Sequence, residues 1–466
     1  MTTETKSIDG YLPNDTPPAG KLILLGIQHV LTMFPATVFV AAFTGFHIGT
    51  VLLASGISTI VALLLSRNRI GTFIPLFYGS SFSYIAAYLG VAVLMTGDIP
   101  AFGVPLPNEV ISTMQAGIVV TGVLNILVGF IIRRVGKDAV DTVLPPVVTG
   151  SVAAIIGFGL AFAALGMAQA NLAIAVTVLF VTVLFSVYLQ GRGFAGMLPI
   201  LLGAIFGFLL AAVVDPESIA WGAVQQADWF VLPTITFPIF TGAFVVTAIA
   251  SISIMAIATI PESTAHLYQI SLYVDRFAEE LHREKSHLDK YIGWNLVFDG
   301  IGDAINGLLG ATAGTNYGEN NSLMAITRNY SGPALMMAGV VAILLAFVGK
   351  LAALVAAVPL AVTGGLAVYL FGVIGMQGFA LMQEHHVSMF NPRNLAVGAT
   401  IMVIGIGGNI GFEGGFIPVT VGEVFPNGLP AIATAAVLGI LMNLIFVIFA
   451  PPERAQIAEA ATAAAD

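Results

Sequence analysis

T-N-Y-G-E-N-N-S-L-M-A-I-T-R, Thr315 to Arg328, is a polar, glycine-bearing stretch set among long apolar runs, and it places a carboxylate, Glu319, where a lipid-facing helix has none. An unpaired backbone N–H or C=O facing hydrocarbon costs several kcal/mol, so such a stretch belongs inside protein or beside a watery cavity. Its surroundings set the class of protein. Of 466 residues 58% are hydrophobic and only 9% charged, and the mean hydropathy is +0.96. A soluble domain carries about 25% charge, so the chain reads as an integral, polytopic, all-α membrane protein rather than a globular enzyme. The absence of Cys excludes disulfide and thiol chemistry; the net charge is −9, but orientation in a membrane follows Lys and Arg alone, and no nucleic acid is expected as a partner. Residues 1–21 are polar and lack the apolar core of a cleavable signal, so they are expected as a cytoplasmic tail, with 451–466 as a second one.

Working outward, apolar windows of membrane-spanning length recur at 22–44, 48–66, 72–96, 110–133, 142–166, 171–189, 194–214, 241–272, 291–311, 315–329, 334–349, 353–376, 394–411 and 429–449. They are numbered here as segments 1 to 14. Segments 3 and 10 read as half-helices preceded by extended chain. The basic residues test this count. Lys6, Lys21, Arg67, Arg69, Arg133, Arg134, Lys137, Arg192, Arg276, Arg283, Lys285, Lys290, Arg328, Arg393 and Arg454 fall on one face, and of the 16 Lys and Arg only Lys350 falls on the other. The positive-inside rule makes the first face cytoplasmic, with both termini inside. The outer connections 97–109 and 215–240 carry no Lys or Arg, and the charged loop Asp275 to Lys290 lies inside.

The halves echo each other. Gln28-His29 in segment 1 precedes Gly79-Ser80-Ser81-Phe82, and Glu262 to His266 in segment 8 precedes Tyr317-Gly318-Glu319. Seven segments per half is odd, so the halves sit inverted, a recurrent build of secondary transporters with substrate held between broken helices. A helix starting mid-membrane offers unpaired N–H groups and a positive dipole end, and glycine permits close backbone approach. Two such starts, with Glu262 and Glu319 as acceptors, fit a planar solute bearing both N–H and C=O groups.

These residues resemble the nucleobase/ascorbate transporter family, and most closely its bacterial uracil permeases. The likeness rests on Y-G-E-N-N-S-L-M-A-I-T-R, Gln28-His29, G-S-S-F at 79–82 and E-S-T-A-H at 262–266, and it runs from about Leu22 to Leu370. The family signature [Q/E/P]-N-x-G-x4-T-[R/K/G] reads here as Glu319, Asn320, Ser322 in place of Gly, Thr327 and Arg328. The resemblance implies fourteen spans in two domains. The core would comprise 22–135 and 241–350 (segments 1–4 and 8–11), and the gate 136–240 and 351–450 (segments 5–7 and 12–14). It further implies elevator-like motion, homodimers through gate helices, residence in a bacterial plasma (inner) membrane, and proton-coupled uptake of uracil.

Residue by residue, the resemblance makes Glu262 and Glu319 the acceptors of ring N–H groups and His266 the partner of the second carboxylate. Proton coupling falls to Glu262, His266 and Glu319. The backbone amides of Phe82 and Gly318 are the donors to ring carbonyls, and Ala36, Phe82 and Tyr317 are apolar walls. Phe371 stands where uracil permeases can have Tyr, and Pro35 where Gly is usual beside Ala36. Other readings stay open. Glu262 and His266, spaced i, i+4, also suit a metal pair or a structural hydrogen bond, but no further ligand of fitting spacing is evident, so neither metal nor cofactor is expected. Gln28, His29 and Asn320 act as supporting polar groups, with interhelical glue open for the first two. Asp299 and Asp303 either hydrogen-bond the segment-10 break or tune the proton site. Gly364, Gly365, Gly372 and Gly375 read as packing surfaces. Family members that carry xanthine or urate tend to have Gln at position 319 and Asp at 266, so this sequence leans to pyrimidine. An anion transporter on the same architecture is disfavoured by two acids in the pocket, and an enzyme by the lack of a nucleophile constellation. Sodium coupling stays open beside proton coupling.

Overall fold

Segment 4 lies along segment 9 much as segment 2 lies along segment 11, and segment 8 leans on 4 as segment 1 leans on 11. This reciprocal packing is the inverted repeat made visible, and glycines permit it. A Cβ on Gly122 would come within 2.5 Å of the Gly300 carbonyl oxygen, and one on Gly300 within 2.4 Å of that of Gly122. Gly56 and Gly339 stand in the same relation, at 2.5 and 2.9 Å. Lacking a hydrophobic drive between helices in lipid, such crossings gain from close backbone contact. Segments 5, 6, 7, 12, 13 and 14 pack mainly among themselves, with 12 against 5 and 6, and 13 against 14.

The computed structural model describes residues 10–136, 142–190, 192, 196, 198–422, 425 and 428–449. Each of the fourteen windows holds a helix, from Ala19–Thr44 in segment 1 to Ala431–Ile448 in segment 14. Among the described residues, eight helices are long and apolar enough to cross a membrane by length and composition. Two windows shift. Segment 8 runs as Val245–Ser253 and Ala256–Glu280, so the charged loop begins after Glu280 rather than at Asp275. Segment 12 is Leu360–Glu384, separated at Pro359 from a short helix, Gly349–Ala356, because proline has no N–H to continue a helix. Of the four segment-12 glycines, Gly364, Gly365 and Gly375 lie against Ala168, Ala175 and Phe158, whereas a Cβ on Gly372 would meet nothing within 4 Å among the described residues.

The N-terminal tail is docked where it is described. Its residues 1–9, like 451–466, lie outside the described residues, but 10–18 form a strap over the end of the bundle bearing most of the Arg residues. Tyr11 N–H donates to the Arg328 carbonyl at 2.9 Å, Gly332 N–H to Pro13 at 2.9 Å and Phe73 N–H to Asn14 Oδ1 at 3.2 Å. Asp15 takes a bidentate Arg283 contact at 2.7 and 3.0 Å. At the opposite end the 228–240 stretch does the same. There Val231 N–H donates to Phe347, Ile239 N–H to Ser112, Thr50 Oγ1 to the Thr234 carbonyl at 2.6 Å and Gln115 Nε2 to that of Thr236 at 2.7 Å.

Candidate functional site

The two broken segments meet as strands. β1 (Tyr78–Ser80) pairs antiparallel with β2 (Gly314–Asn316), Tyr78 opposite Asn316 and Ser80 opposite Gly314. Ser81 N–H to Ala313 and Tyr317 N–H to Phe77, both 3.0 Å, extend the ladder. Backbone groups that lipid could not satisfy therefore satisfy each other. From this crossing the helical turn beginning at Phe82 and the helix Gly318–Thr327 leave in opposite directions, each presenting first-turn N–H groups without intrahelical acceptors. Gly79 is required because a Cβ would lie 2.6 Å from the Tyr317 ring. The Tyr317 hydroxyl donates to the Ser80 carbonyl at 2.9 Å and lies 2.9 Å from Thr37 Oγ1, so Tyr317 braces the crossing as well as walling it.

Segments 1 and 8 flank the crossing, each with an internal proline, Pro35 and Pro261, just before Ala36 and Glu262. Glu262 is half-buried and accepts from Ser83 Oγ at 3.3 Å. Glu319 is exposed, in the first turn of the segment-10 helix, and within coulombic reach of Glu262. His266 sits under the same helix start. A Cβ on Gly318 would lie 2.8 Å from His266 Nε2, so only glycine fits between imidazole and helix. Asn321 Nδ2 donates to the His266 carbonyl at 3.0 Å and to Gln269 Oε1 at 3.2 Å. Phe82, Phe371 and Phe39 form one aromatic wall, with centroids 5.7 to 6.3 Å apart, that joins segment 12 to segments 1 and 3. Ala36 is buried beside it.

The supporting groups divide. Asn320 Nδ2 lies 3.1 Å from both the carbonyl and Nδ1 of buried His29, tying segment 10 to segment 1 as interhelical glue. Gln28 is half-buried, and its Oε1 has no hydrogen-bond partner among the described residues. Asp299 gathers Ser263, Asn295 and Asn316 on one oxygen, and Tyr78 donates to its carbonyl at 2.8 Å. Asp303 accepts the Gly314 N–H at 2.7 Å and Asn125 Nδ2 at 2.9 Å. Both aspartates thus bond the break or residues tied to it. Ser322 bonds back to the Gly318 carbonyl at 3.0 Å and is exposed, so its replacement of the family glycine disturbs no packing. No role was read in the sequence for Ser83, Ser263, Asn316, Thr37 and Phe39. Ser263 and Asn316 lie inside the quoted stretches and Ser83 adjoins G-S-S-F, while Phe39 looks like any apolar helix residue.

Exposure is lopsided. Along the segment-10 helix Glu319, Ser322 and Ile326 are exposed, spaced for one helical face, so this face opens toward the end bearing the N-terminal strap. The corresponding positions after Phe82 are Ser83, Ala86 and Gly90; the first and last are buried. The Phe416 ring covers Gly90 so closely that a Cβ there would lie 2.2 Å from it. Phe416 belongs to a two-residue strand, Phe416–Ile417, paired with Leu429–Pro430 at the start of segment 14.

A family model described as Permease family, abbreviated Xan_ur_permease, matches residues 20–414. The chain is 34% identical to the uracil permease of Escherichia coli (strain K12) over 447 residues, 93% of each chain. It is 32% identical to the uracil permease of Bacillus caldolyticus over 462 residues, 96% of this chain and 95% of that one. Among solved structures, the transmembrane domain of the cyanobacterial bicarbonate transporter BicA aligns with a TM-score of 0.54 at 14% identity, covering 93% of this chain and 98% of that one. The murine Slc26a9 anion transporter in its inward-facing state gives 0.60 at 12%, over 94% of this chain and 69% of that one. At such identities the likeness is one of fold, the inverted repeat of seven plus seven segments. By sequence and architecture together, the chain is a multi-pass membrane permease, not an enzyme, and it belongs to the nucleobase/ascorbate transporter family.

Proposed function

We propose that this permease carries uracil into the cell together with a proton, across a bacterial plasma membrane in which the strap-bearing, Lys- and Arg-rich end is cytoplasmic. The observation that carries the reading is the convergence of Glu262 and Glu319 on a crossing flanked by the Phe82 and Gly318 helix starts and walled by Phe82 and Phe371. That set offers two acceptors, two backbone donors and a flat apolar face, the complement of a pyrimidine with alternating N–H and C=O groups. Glu at 319 and His at 266, with relatives named for uracil, favour it over a purine.

In this reading segments 1–4 and 8–11 are a core that moves against a gate of 5–7 and 12–14, and homodimers form through gate helices. The exposed Glu319–Ser322–Ile326 face and the covered Gly90 make the present conformation the inward-facing one. A membrane-embedded carboxylate marks an ion or solute pathway, since a charge there is costly. Loading outside brings base and proton to the acidic pair, and neutralisation lets the core cross. One charge moved through 100 mV is worth roughly 2.3 kcal/mol, enough for about 50-fold accumulation.

The test is uptake of radiolabelled uracil into proteoliposomes under an inward proton gradient, with xanthine as competitor and a protonophore. Uptake is expected to collapse with the protonophore, resist xanthine and vanish in Glu319→Ala. Xanthine competition at equal concentration makes the chain a purine carrier, and full uptake by Glu319→Ala removes the site.

A further inference from the structure

The pseudo-twofold relation of the halves assigns equivalent residues without any alignment. The Gly56–Gly339 crossing of segments 2 and 11 repeats as Gly300–Gly122 between segments 9 and 4, so Gly56 corresponds to Gly300. Three residues on stand Thr59 and Asp303, both fully buried. Likewise Phe82 and Gly318 each open a helical turn, and four residues before them stand Tyr78 and Gly314. Thr59 Oγ1 accepts the Tyr78 N–H at 3.0 Å, and Asp303 Oδ1 accepts the Gly314 N–H at 2.7 Å. Each half hangs its broken helix, by the amide four residues before the helix start, on one side chain of the preceding segment.

The hooks differ in their second bond: Thr59 Oγ1 donates back to the Tyr78 carbonyl of the strand it holds, at 3.2 Å. Asp303 has a second oxygen, which takes Asn125 Nδ2 from segment 4 at 2.9 Å. Asn125 stands three residues after Gly122, and the matching position after Gly339 is Ala342, which can make no such bond. The brace to a neighbouring segment thus falls on the half bearing Glu319. Gly314 also closes on the Tyr78 ring, where a Cβ would come within 2.2 Å, so a shift of β2 is transmitted to β1.

We propose that Asp303 is a positioning residue for substrate binding: it fixes the height of β2 through the Gly314 amide and thereby aims the Gly318 N–H and the Glu319 carboxylate, touching no substrate itself. Its role is that of Thr59 in the other half, and the bond matters rather than the negative charge. The substrate part rests on the uracil reading above.

The test compares Asp303→Val, Asp303→Thr and Thr59→Val in purified full-length protein, by hydrogen–deuterium exchange without ligand and by uracil affinity. In Asp303→Val the Gly314 amide should exchange at least about tenfold faster and the uracil Kd rise about tenfold, the equivalent of about 1.4 kcal/mol. Asp303→Thr, which copies the first-half hook, should return both to within about threefold, and Thr59→Val should move the change to the Tyr78 amide. Wild-type values in Asp303→Val overturn the assignment. So does an Asp303→Thr variant that folds yet behaves like Val, because then charge and not the hook is what matters. If Asp303→Val does not fold, Asp303→Thr decides alone. Failure of wild-type protein to bind uracil overturns the uracil reading, while the ligand-free exchange still judges the hook.

Discussion

In the orientation proposed above, Phe416→Ala should loosen the outer side of the transporter and leave the inner side intact. Truncating a fully buried Phe costs about 3–5 kcal/mol. Phe416 is half-buried, so its whole contribution is about 2 kcal/mol, which is the upper limit on what its packing against Gly90 supplies. Between about 1 and 2 kcal/mol of the closed state is then lost, and the outward-open population grows about five- to thirtyfold. The chain contains no cysteine, so a single introduced thiol reports cleanly. Ala86→Cys lies on the covered face one turn before Gly90, and its labelling by a membrane-impermeant maleimide from outside follows the open fraction. Ser322→Cys on the exposed face, labelled from inside, is the control. The expected result is outside labelling accelerated five- to thirtyfold in Phe416→Ala with the control unchanged or slower. Acceleration below twofold, or equal acceleration at both positions, refutes the assignment of Phe416 as the closing contact.

Two further outcomes follow from the packing and the strap. Gly122→Ala should cost about 1–3 kcal/mol, because its Cβ meets backbone atoms of Gly300 and Ala304 at 2.5 and 2.7 Å, whereas Gly166→Ala, with nothing within 4 Å, should be neutral or slightly stabilising; thermal unfolding in detergent compares them, and equal midpoints contradict the crossing. Burial alone would raise the Asp15 carboxyl, but the Arg283 hydrogen bond, the Leu12 amide and the Arg283 charge together hold it below its ordinary value of 3.8. A carboxyl lowered on folding contributes fully above its unfolded value and loses that contribution as pH falls through the folded one. Exchange protection of residues 10–18 should therefore hold at neutral pH and fade on strong acidification; Asp15→Asn should be weaker at neutral pH and insensitive to acid, and a strap equally protected at every pH would contradict this.

Much of the architecture was legible because the bilayer restricts what a sequence can do. A run of about 20 apolar residues has one use, so the helical segments were readable locally. Gly79 and Gly318 were readable as breaks because each adjoins polar residues within apolar surroundings. What escaped depends on contacts distant in sequence. The β1–β2 register joins residues more than 230 positions apart, and nothing near Tyr78 names Asn316 as its partner. Residues 10–18 read as a polar tail, since their backbone bonds go to loops that composition cannot foresee. Phe39 and Phe416 are two of 31 Phe residues, and aromatic side chains that face lipid look the same on paper as those that close a passage. Tyr317 could be read as a wall but not as a brace, because its hydroxyl partners, Thr37 and the Ser80 carbonyl, belong to other segments.

The short ladder between Tyr78–Ser80 and Gly314–Asn316 makes one unit of two helix ends that the chain connects only through long detours. Neither end can drift without tearing hydrogen bonds in a medium that offers no replacement. A bound molecule therefore meets the same spacing of backbone donors whichever side of the membrane it came from. Geometry at the crossing cannot tell arrival from departure, and under the proposed proton coupling the direction of travel is written in the state of the acids beside it.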